Sequence, residues 1–186
     1  KTDGIHRIIS TLIVYAGTGK TTLMEALLYQ GGCTERMGSV AAGTTVSDYK
    51  PEEIKRHSSV CTATGSIQLD GLKVNLLDTP GMFDFAGGMI QGISAADCVM
   101  ITVSGKSGVR VGTKKAYRAA AGKPRMFVVT KLDDENANFY NVLTDLKSTF
   151  GPSVCPVVVP VIVDRKVDSY INLIEMKAYR YDADGK

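Results

Sequence analysis

Hydrophobic positions along the chain follow two alternating rhythms. Apolar runs at residues 5–14, 98–103 and 125–130 read as buried strands. Leu23, Met24, Leu27 and Leu28 instead repeat at helical spacing, and Gly31-Gly32 stops that helix. Residues 86–96 form a glycine-diluted helical pattern and 112–121 another. The clearest amphipathic helix is set by Phe139, Val142, Leu143, Leu146 and Phe150, spaced i, i+3, i+4, i+7 and i+11 and terminated by Gly151-Pro152. Residues 62–69 and 72–77 are strand-like, and Asp70-Gly71 between them predicts a two-residue hairpin. Residues 154–163 read as a strand interrupted by prolines, which confines it to an edge. From Cys33 to Ser59 the chain is polar, glycine-containing and aperiodic apart from a turn of helix after Pro51. A loop of that length within a domain is functional or mobile.

This alternation predicts an α/β fold: a mostly parallel sheet with helices on both faces and one antiparallel hairpin near its edge. Ligands of such sheets bind outside the carboxyl ends of the strands. Three candidate motifs, at 14–21, 78–81 and 130–133, each follow a predicted strand, so the fold is expected to bring them to one rim.

Composition narrows the classes. The 186 residues suit one domain with a real core, and 44% hydrophobic with 22% charged residues excludes disorder. Lys and Arg total 22 against 19 Asp and Glu, and the resulting +3 is too near balance for a nucleic-acid arm. The four cysteines, Cys33, Cys61, Cys98 and Cys155, form no C-x-x-C pair, and His6 and His57 are the only histidines; zinc is excluded and reduced thiols are expected. The first apolar run is broken by Ser10 and Thr11, too short for a membrane span and unlike a signal peptide. Because the first residue is Lys1, the chain is expected to be cut from a longer one.

The motifs carry the chemistry. A strand followed by Gly17-Thr18-Gly19-Lys20-Thr21-Thr22 at a helix start turns backbone N–H groups toward phosphate oxygens. Lys20 reaches the outer phosphates and the Thr21 hydroxyl suits Mg²⁺. In Asp78-Thr79-Pro80-Gly81 the carboxylate can bind Mg²⁺ and the Gly81 N–H can sense a terminal phosphate, although D-x-P-G alone is an ordinary turn. Lys20 and Gly81 are therefore the candidate catalytic groups. In Thr130-Lys131-Leu132-Asp133, Asp133 can accept hydrogen bonds from guanine N1–H and its exocyclic amine while the Lys131 stem covers the ring. An ATP-using protein is disfavoured by Asp133.

These residues resemble the GTP-binding domain of translational GTPases, specifically elongation factor G and its elongation-factor-G-like paralogues. The likeness includes Glu25-Ala26-Leu27-Leu28-Tyr29, Val46-Ser47-Asp48-Tyr49, Glu53-Ile54-Lys55-Arg56, Asn75-Leu76-Leu77-Asp78-Thr79-Pro80-Gly81, Pro124 through Asp133, and Ile174 through Tyr179. It implies a P-loop NTPase-type fold that binds GTP with Mg²⁺, docks on the ribosome and hydrolyses GTP to GDP and phosphate. It implies a cytoplasmic, monomeric protein without membrane or DNA contact. Gly17, Thr18, Gly19, Lys20, Thr21, Thr22, Thr130, Lys131 and Asp133 would bind the nucleotide, and Thr21, Ser59 and Asp78 the metal. The expected division is 1–163 for the GTP-binding core, lacking its last part, and 164–186 for the start of a family insertion. A Ser-Ala motif contacting guanine follows that insertion in the family and is not reached.

Departures shape the expected activity. Val14 stands for Gly or Ala, Ser59 for Thr, and Thr130 for the Asn of N-K-x-D. Met82 stands where elongation factor G has the His that positions the attacking water, and a thioether is a weak acceptor. Weak intrinsic hydrolysis is therefore expected, the alternative being a guanine-nucleotide-binding module with little or none. His57 reads as a solvated surface residue. Lys114, Lys115, Arg118, Lys123 and Arg125 read as a solvated helix face because no stacking aromatic is interleaved. Tyr179, Arg180 and Tyr181 fall on the insertion's first strand, where packing is expected.

Overall fold

The computed structural model describes residues 7–13, 17–164 and 166–181. The ends of the first apolar run, among them Ile5, His6 and Val14, lie outside them. Strand β1 (Arg7–Ile13) precedes helix α1 (Lys20–Gln30), which ends at Gly31 as its apolar spacing predicts. The long polar segment contains one short helix, α2 (Pro51–Arg56), with proline in its first turn, where the missing N–H costs nothing.

Strands β2 (Ala63–Leu69) and β3 (Leu72–Asp78) pair antiparallel through a turn in which Asp70 and Gly71 both take positive φ, 49° and 77°. That geometry matches the twist of the flanking strands and is what Asp-Gly favours. A 3₁₀ turn at Phe83–Phe85 leads into α3 (Ala86–Ala95), followed by β4 (Cys98–Ser104), α4 (Val111–Ala119), β5 (Arg125–Thr130) and α5 (Phe139–Phe150).

The five strands form one sheet in the order β2-β3-β1-β4-β5. β1 is central and parallel to both β3 and β4, with Leu12 beside Asp78 and Ile13 beside Ile101. The carboxyl ends of β1 and β3 therefore share a rim. The mixed sheet, its edge hairpin and the helices between strands are the α/β architecture read from the sequence. Met24 and Leu28 of α1 bury against Ile67 of β2 and Leu76 of β3, each such side chain contributing about 1.5–3 kcal/mol on burial. Gly65 lets the helix approach, since a Cβ there would lie 2.6 Å from the Met24 methyl carbon.

The chain separates into two compact units, one comprising 1–103 and 110–128, the other 104–109 and 129–186. The second unit holds α5 and an antiparallel sheet of β6 (Val158–Val163), β7 (Lys166–Asn172) and β8 (Lys177–Tyr179), in that order. The expected 154–163 strand begins only at Val158. It does occupy an edge, of this second sheet, and Pro160 is accommodated there. Tyr179 ends β8, the third strand of that sheet. Among the described residues no helix is long and apolar enough to cross a membrane.

Candidate functional site

The first unit builds a site from the start of α1. Gly17 and Gly19 hold φ values of 83° and 80°, a left-handed conformation that costs little only for glycine. Gly19 caps α1 with no side-chain hydrogen bond, and no acidic residue stands in the first turn. A helix start of this kind, with first-turn N–H groups that have no intrahelical partner and the positive end of the helix dipole, is the arrangement that binds phosphate. The loop is fixed from below by the Thr18 hydroxyl, 2.8 Å from that of Thr102 on β4.

Lys20 is only 6% exposed. Burial lowers its amine below the usual lysine range, opposed by the nearby charges of Asp78 and Asp48. The Thr21 hydroxyl donates to Asp78 Oδ2 at 2.7 Å and lies 3.2 Å from the Ser59 hydroxyl. One buried oxygen thereby joins α1, the end of β3 and the long loop, which are 57 and 38 residues apart in sequence. Asp78 is completely buried, and burial raises its carboxyl to about 6 against the pull of Lys20 and the Thr21 hydrogen bond. Thr22 is exposed on the same helical turn.

The oxygen set fits Mg²⁺. Asp78 Oδ1 is buried without a hydrogen bond, and the buried Asp48 carboxylate stands beside the Ser59 hydroxyl, so these carboxylates and the hydroxyls of Thr21 and Ser59 form a set of hard oxygen donors. Buried anionic oxygens left unpaired are costly, and a cation relieves that cost. Gly81 is half-buried in the loop after β3. Met82 opens the 3₁₀ turn with its side chain exposed, lining a cavity of about 100 Å³ with Phe83, Met89 and Lys115.

In the sequence Asp48, Glu25 and Glu53 figure only within the family likeness, with no role of their own, and all three are buried carboxylates. Glu25 lies one turn after Thr21 on the face that buries Met24 and Leu28, and a lone carboxylate in such a stripe was the available signal. Burial raises the carboxyl of Asp48, with the neighbouring Ser59 hydroxyl pulling the other way. His57 is exposed, but its Nδ1 is 3.0 Å from the Val40 carbonyl, so the ring belongs to the loop's own structure.

The second unit holds the third motif. Thr130 ends β5, and Lys131 follows with φ 56°. Gly105 is needed beneath them: its N–H donates to the Thr130 carbonyl at 2.7 Å, and a Cβ would lie 2.9 Å from Leu132. Lys131 and Asp133 are exposed and line an open cavity of about 530 Å³ with Lys166, Val167 and Tyr170 of β7. Asp134 beside them is tied to the Asn136 N–H and to Lys106 at 3.1 Å, which hold its carboxyl below the usual range.

The basic cluster is taken apart by its contacts. Lys123 donates to the carbonyls of Ile93, Ser94 and Ala96, capping the end of α3 instead of joining a helix face. An aromatic is in fact interleaved: Tyr117 stacks on Phe127 and carries the Arg125 guanidinium 3.6 Å above its ring. Lys115 lies 4.2 Å over Phe83. In the second unit Arg180 donates from Nη2 to both carboxylate oxygens of Asp168 at 2.5 and 2.6 Å, and Tyr181 packs edge-on against Tyr170, so both side chains have packing partners.

Comparison with known proteins matches residues 6–184 to the elongation factor Tu GTP binding domain family. An elongation factor G-like protein of Mycobacterium tuberculosis is 40% identical over 98% of this chain and 25% of its own length. One from Thermotoga maritima is 34% identical over 97% and 26%. The mitochondrial ribosome-releasing factor 2 of Anopheles gambiae is 32% identical over 94% and 24%. A crystal structure from Thermus thermophilus superposes with a TM-score of 0.91 at 42% identity, covering 97% of this chain and 27% of that one. The chain spans about a quarter of the length of the curated relatives it matches.

Proposed function

The chain belongs to the elongation factor Tu GTP-binding domain family, and from that premise we propose that it is the GTP-binding and hydrolysing part of a ribosome-associated translation factor of the elongation factor G type. The single observation that carries this reading is the buried Thr21–Asp78–Ser59 cluster beside Lys20. It connects a phosphate-loop helix, a strand-end carboxylate and a long loop in the way a GTP-sensing pair of switches requires. Elongation factor G-like and ribosome-releasing names among the relatives support a ribosomal partner for the full-length protein.

In this reading the N–H groups of Gly17 to Thr22 and the Lys20 ammonium bind the phosphates. Thr21, Ser59 and Asp78 hold Mg²⁺, with Asp48 close by; bound Mg²⁺ neutralises phosphate charge. Thr130, Lys131 and Asp133 recognise the guanine, Asp133 by accepting from two base N–H groups that adenine does not present together. Water attacks the γ-phosphorus, the bond to the β-bridging oxygen breaks, and Lys20 and the Gly81 N–H stabilise the charge on the departing and transferred groups. No imidazole stands at position 82 to orient that water, so intrinsic turnover is slow and a partner supplies the missing orientation. The site works in the cytoplasm, where GTP and ribosomes are both present. The expected division at 163, with an insertion beginning at 164, belongs to the same proposal.

The test is GTP turnover by the full-length protein with and without ribosomes. Slow turnover alone and marked stimulation by ribosomes supports the reading. Turnover indifferent to ribosomes, or fast without them, contradicts it.

A further inference from the structure

Two buried glutamates grip the long loop on either side of the polar groups it contributes. Glu25, 0% exposed on α1, accepts with Oε1 from the Val46 N–H at 2.8 Å, the Ser47 N–H at 3.2 Å and the Ser47 hydroxyl at 3.2 Å. Asp48 is the next residue. Glu53, 1% exposed on α2, accepts with Oε1 from the Val60 and Cys61 N–H groups at 2.9 and 3.0 Å, and with Oε2 from the Lys50 N–H at 3.2 Å. Ser59 immediately precedes Val60.

The two grips differ in what they join. Glu53 and its partners all lie within residues 50–61, so this carboxylate staples the loop to itself and travels with it. Glu25 belongs to the helix that begins with Lys20 and Thr21, so its bonds to residues 46 and 47 fasten the loop to the phosphate-binding element. Hydrogen bonds to a carboxylate are roughly twice as strong as neutral ones, and three converge on one oxygen that water does not reach.

We propose that Glu25 is a positioning residue for nucleotide discrimination: it docks the loop onto α1 and thereby sets Asp48 and Ser59 beside Thr21. This inference rests on the GTPase reading, because only there does the loop's docked state answer to the terminal phosphate. The docking surface is cut to fit from the loop side as well. A Cβ on buried Gly38 would lie 2.4 Å from Glu25 Oε2, 2.8 Å from the Thr44 carbonyl oxygen and 2.8 Å from Thr45 Cα. Gly38 is thus a second position at which docking can be broken without altering α1.

The experiment compares full-length wild type, Glu25→Ala, Glu25→Gln and Gly38→Ala for binding of GDP and of a non-hydrolysable GTP analogue with Mg²⁺, together with amide hydrogen exchange. Glu25→Ala and Gly38→Ala are each expected to weaken the GTP analogue by about tenfold while GDP affinity changes by less than about twofold, the loss of charge-assisted bonds felt only in the docked state. Glu25→Gln, which retains an acceptor oxygen, falls between. Exchange at Val46 and Ser47 rises in the Ala variants while Val60 and Cys61, held by Glu53, keep their protection. Equal losses for GDP and the GTP analogue, or an unchanged ratio with unchanged exchange at Val46 and Ser47, overturns the assignment. Wild type that binds neither nucleotide would instead overturn the GTPase reading itself, and the two failures are separate.

Discussion

The residues around Lys20 in the first unit are sunk into the protein and wired to one another, whereas those around Asp133 in the second stand at an exposed loop beside an open cavity. On the proposed function, the difference follows from what each would do. Phosphate and metal chemistry needs charges held in a low dielectric, where each interaction is stronger and reorganisation is small. Their cost is visible in the lowered Lys20 amine and the raised Asp78 carboxyl. Base recognition needs only complementary donors and acceptors that become desolvated when the ligand arrives. Its scaffold is rigid backbone instead: the Gly105 contact beneath Thr130 and the left-handed Lys131.

The largest way to break this contrast is on the buried side. Lys20→Ala removes a charge-assisted partner of the phosphates and the positive charge that acts on Asp78 and Asp48. Nucleotide affinity is expected to fall by at least about 100-fold for GTP, GDP and inorganic triphosphate alike, as read by calorimetry. A loss confined to guanine nucleotides would show that Lys20 does not serve the phosphates.

On the exposed side an isosteric substitution should redirect binding more than abolish it. Asp133→Asn exchanges an acceptor pair for an acceptor and a donor. GTP affinity is expected to drop by between about ten- and a hundredfold, with xanthosine triphosphate gaining what guanosine loses. Inorganic triphosphate should bind unchanged, since nothing in the first unit is altered. Unchanged selectivity between the two purines would remove Asp133 from the base site.

How much of this was legible in the sequence follows the same division. The helix starting at Lys20, the Asp70-Gly71 hairpin and the 139–150 helix are local patterns, and the structure has each where the sequence puts it. Thr21, Ser59 and Asp78 converge as well, although only family likeness, not spacing, singled out Ser59 within an aperiodic loop. What stayed hidden depends on long-range contacts. In the sequence Glu25 figures only within the family likeness, and nothing in its neighbourhood says that its carboxylate meets an N–H 21 residues away. Lys123 looked like part of a basic face until the end of α3 was seen to occupy all of its donor capacity. Tyr117 was overlooked among the lysines, and its stacking on Phe127 depends on β5 lying alongside α4. The strand at Val158 read as the sheet's edge, but its partners lay further along the chain, in a sheet of its own.

A smaller effect sharpens the contrast through pH. Asp78 has a folded-state value of about 6 against an ordinary 3.8, because burial disfavours its charge. In the metal-free protein this raised value favours the fold fully below pH 3.8, and the contribution is lost as pH rises through about 6. Binding of Mg²⁺ and nucleotide has the opposite sign, since it requires the ionised carboxylate and must expel the proton. Affinity is therefore expected to be about tenfold weaker at pH 5 than at pH 7, levelling off above 6, once the phosphate's own titration, measured on free nucleotide, is subtracted. Calorimetry in buffers of different ionisation enthalpy should register proton release at pH 5 and little at pH 7. Asp133→Asn lies in the exposed loop, outside the buried cluster, so it should keep the same pH profile at lower overall affinity. A profile that vanishes with Asp133→Asn, or that the free nucleotide explains completely, would move the titrating group out of the buried cluster and dissolve the distinction between the two sides.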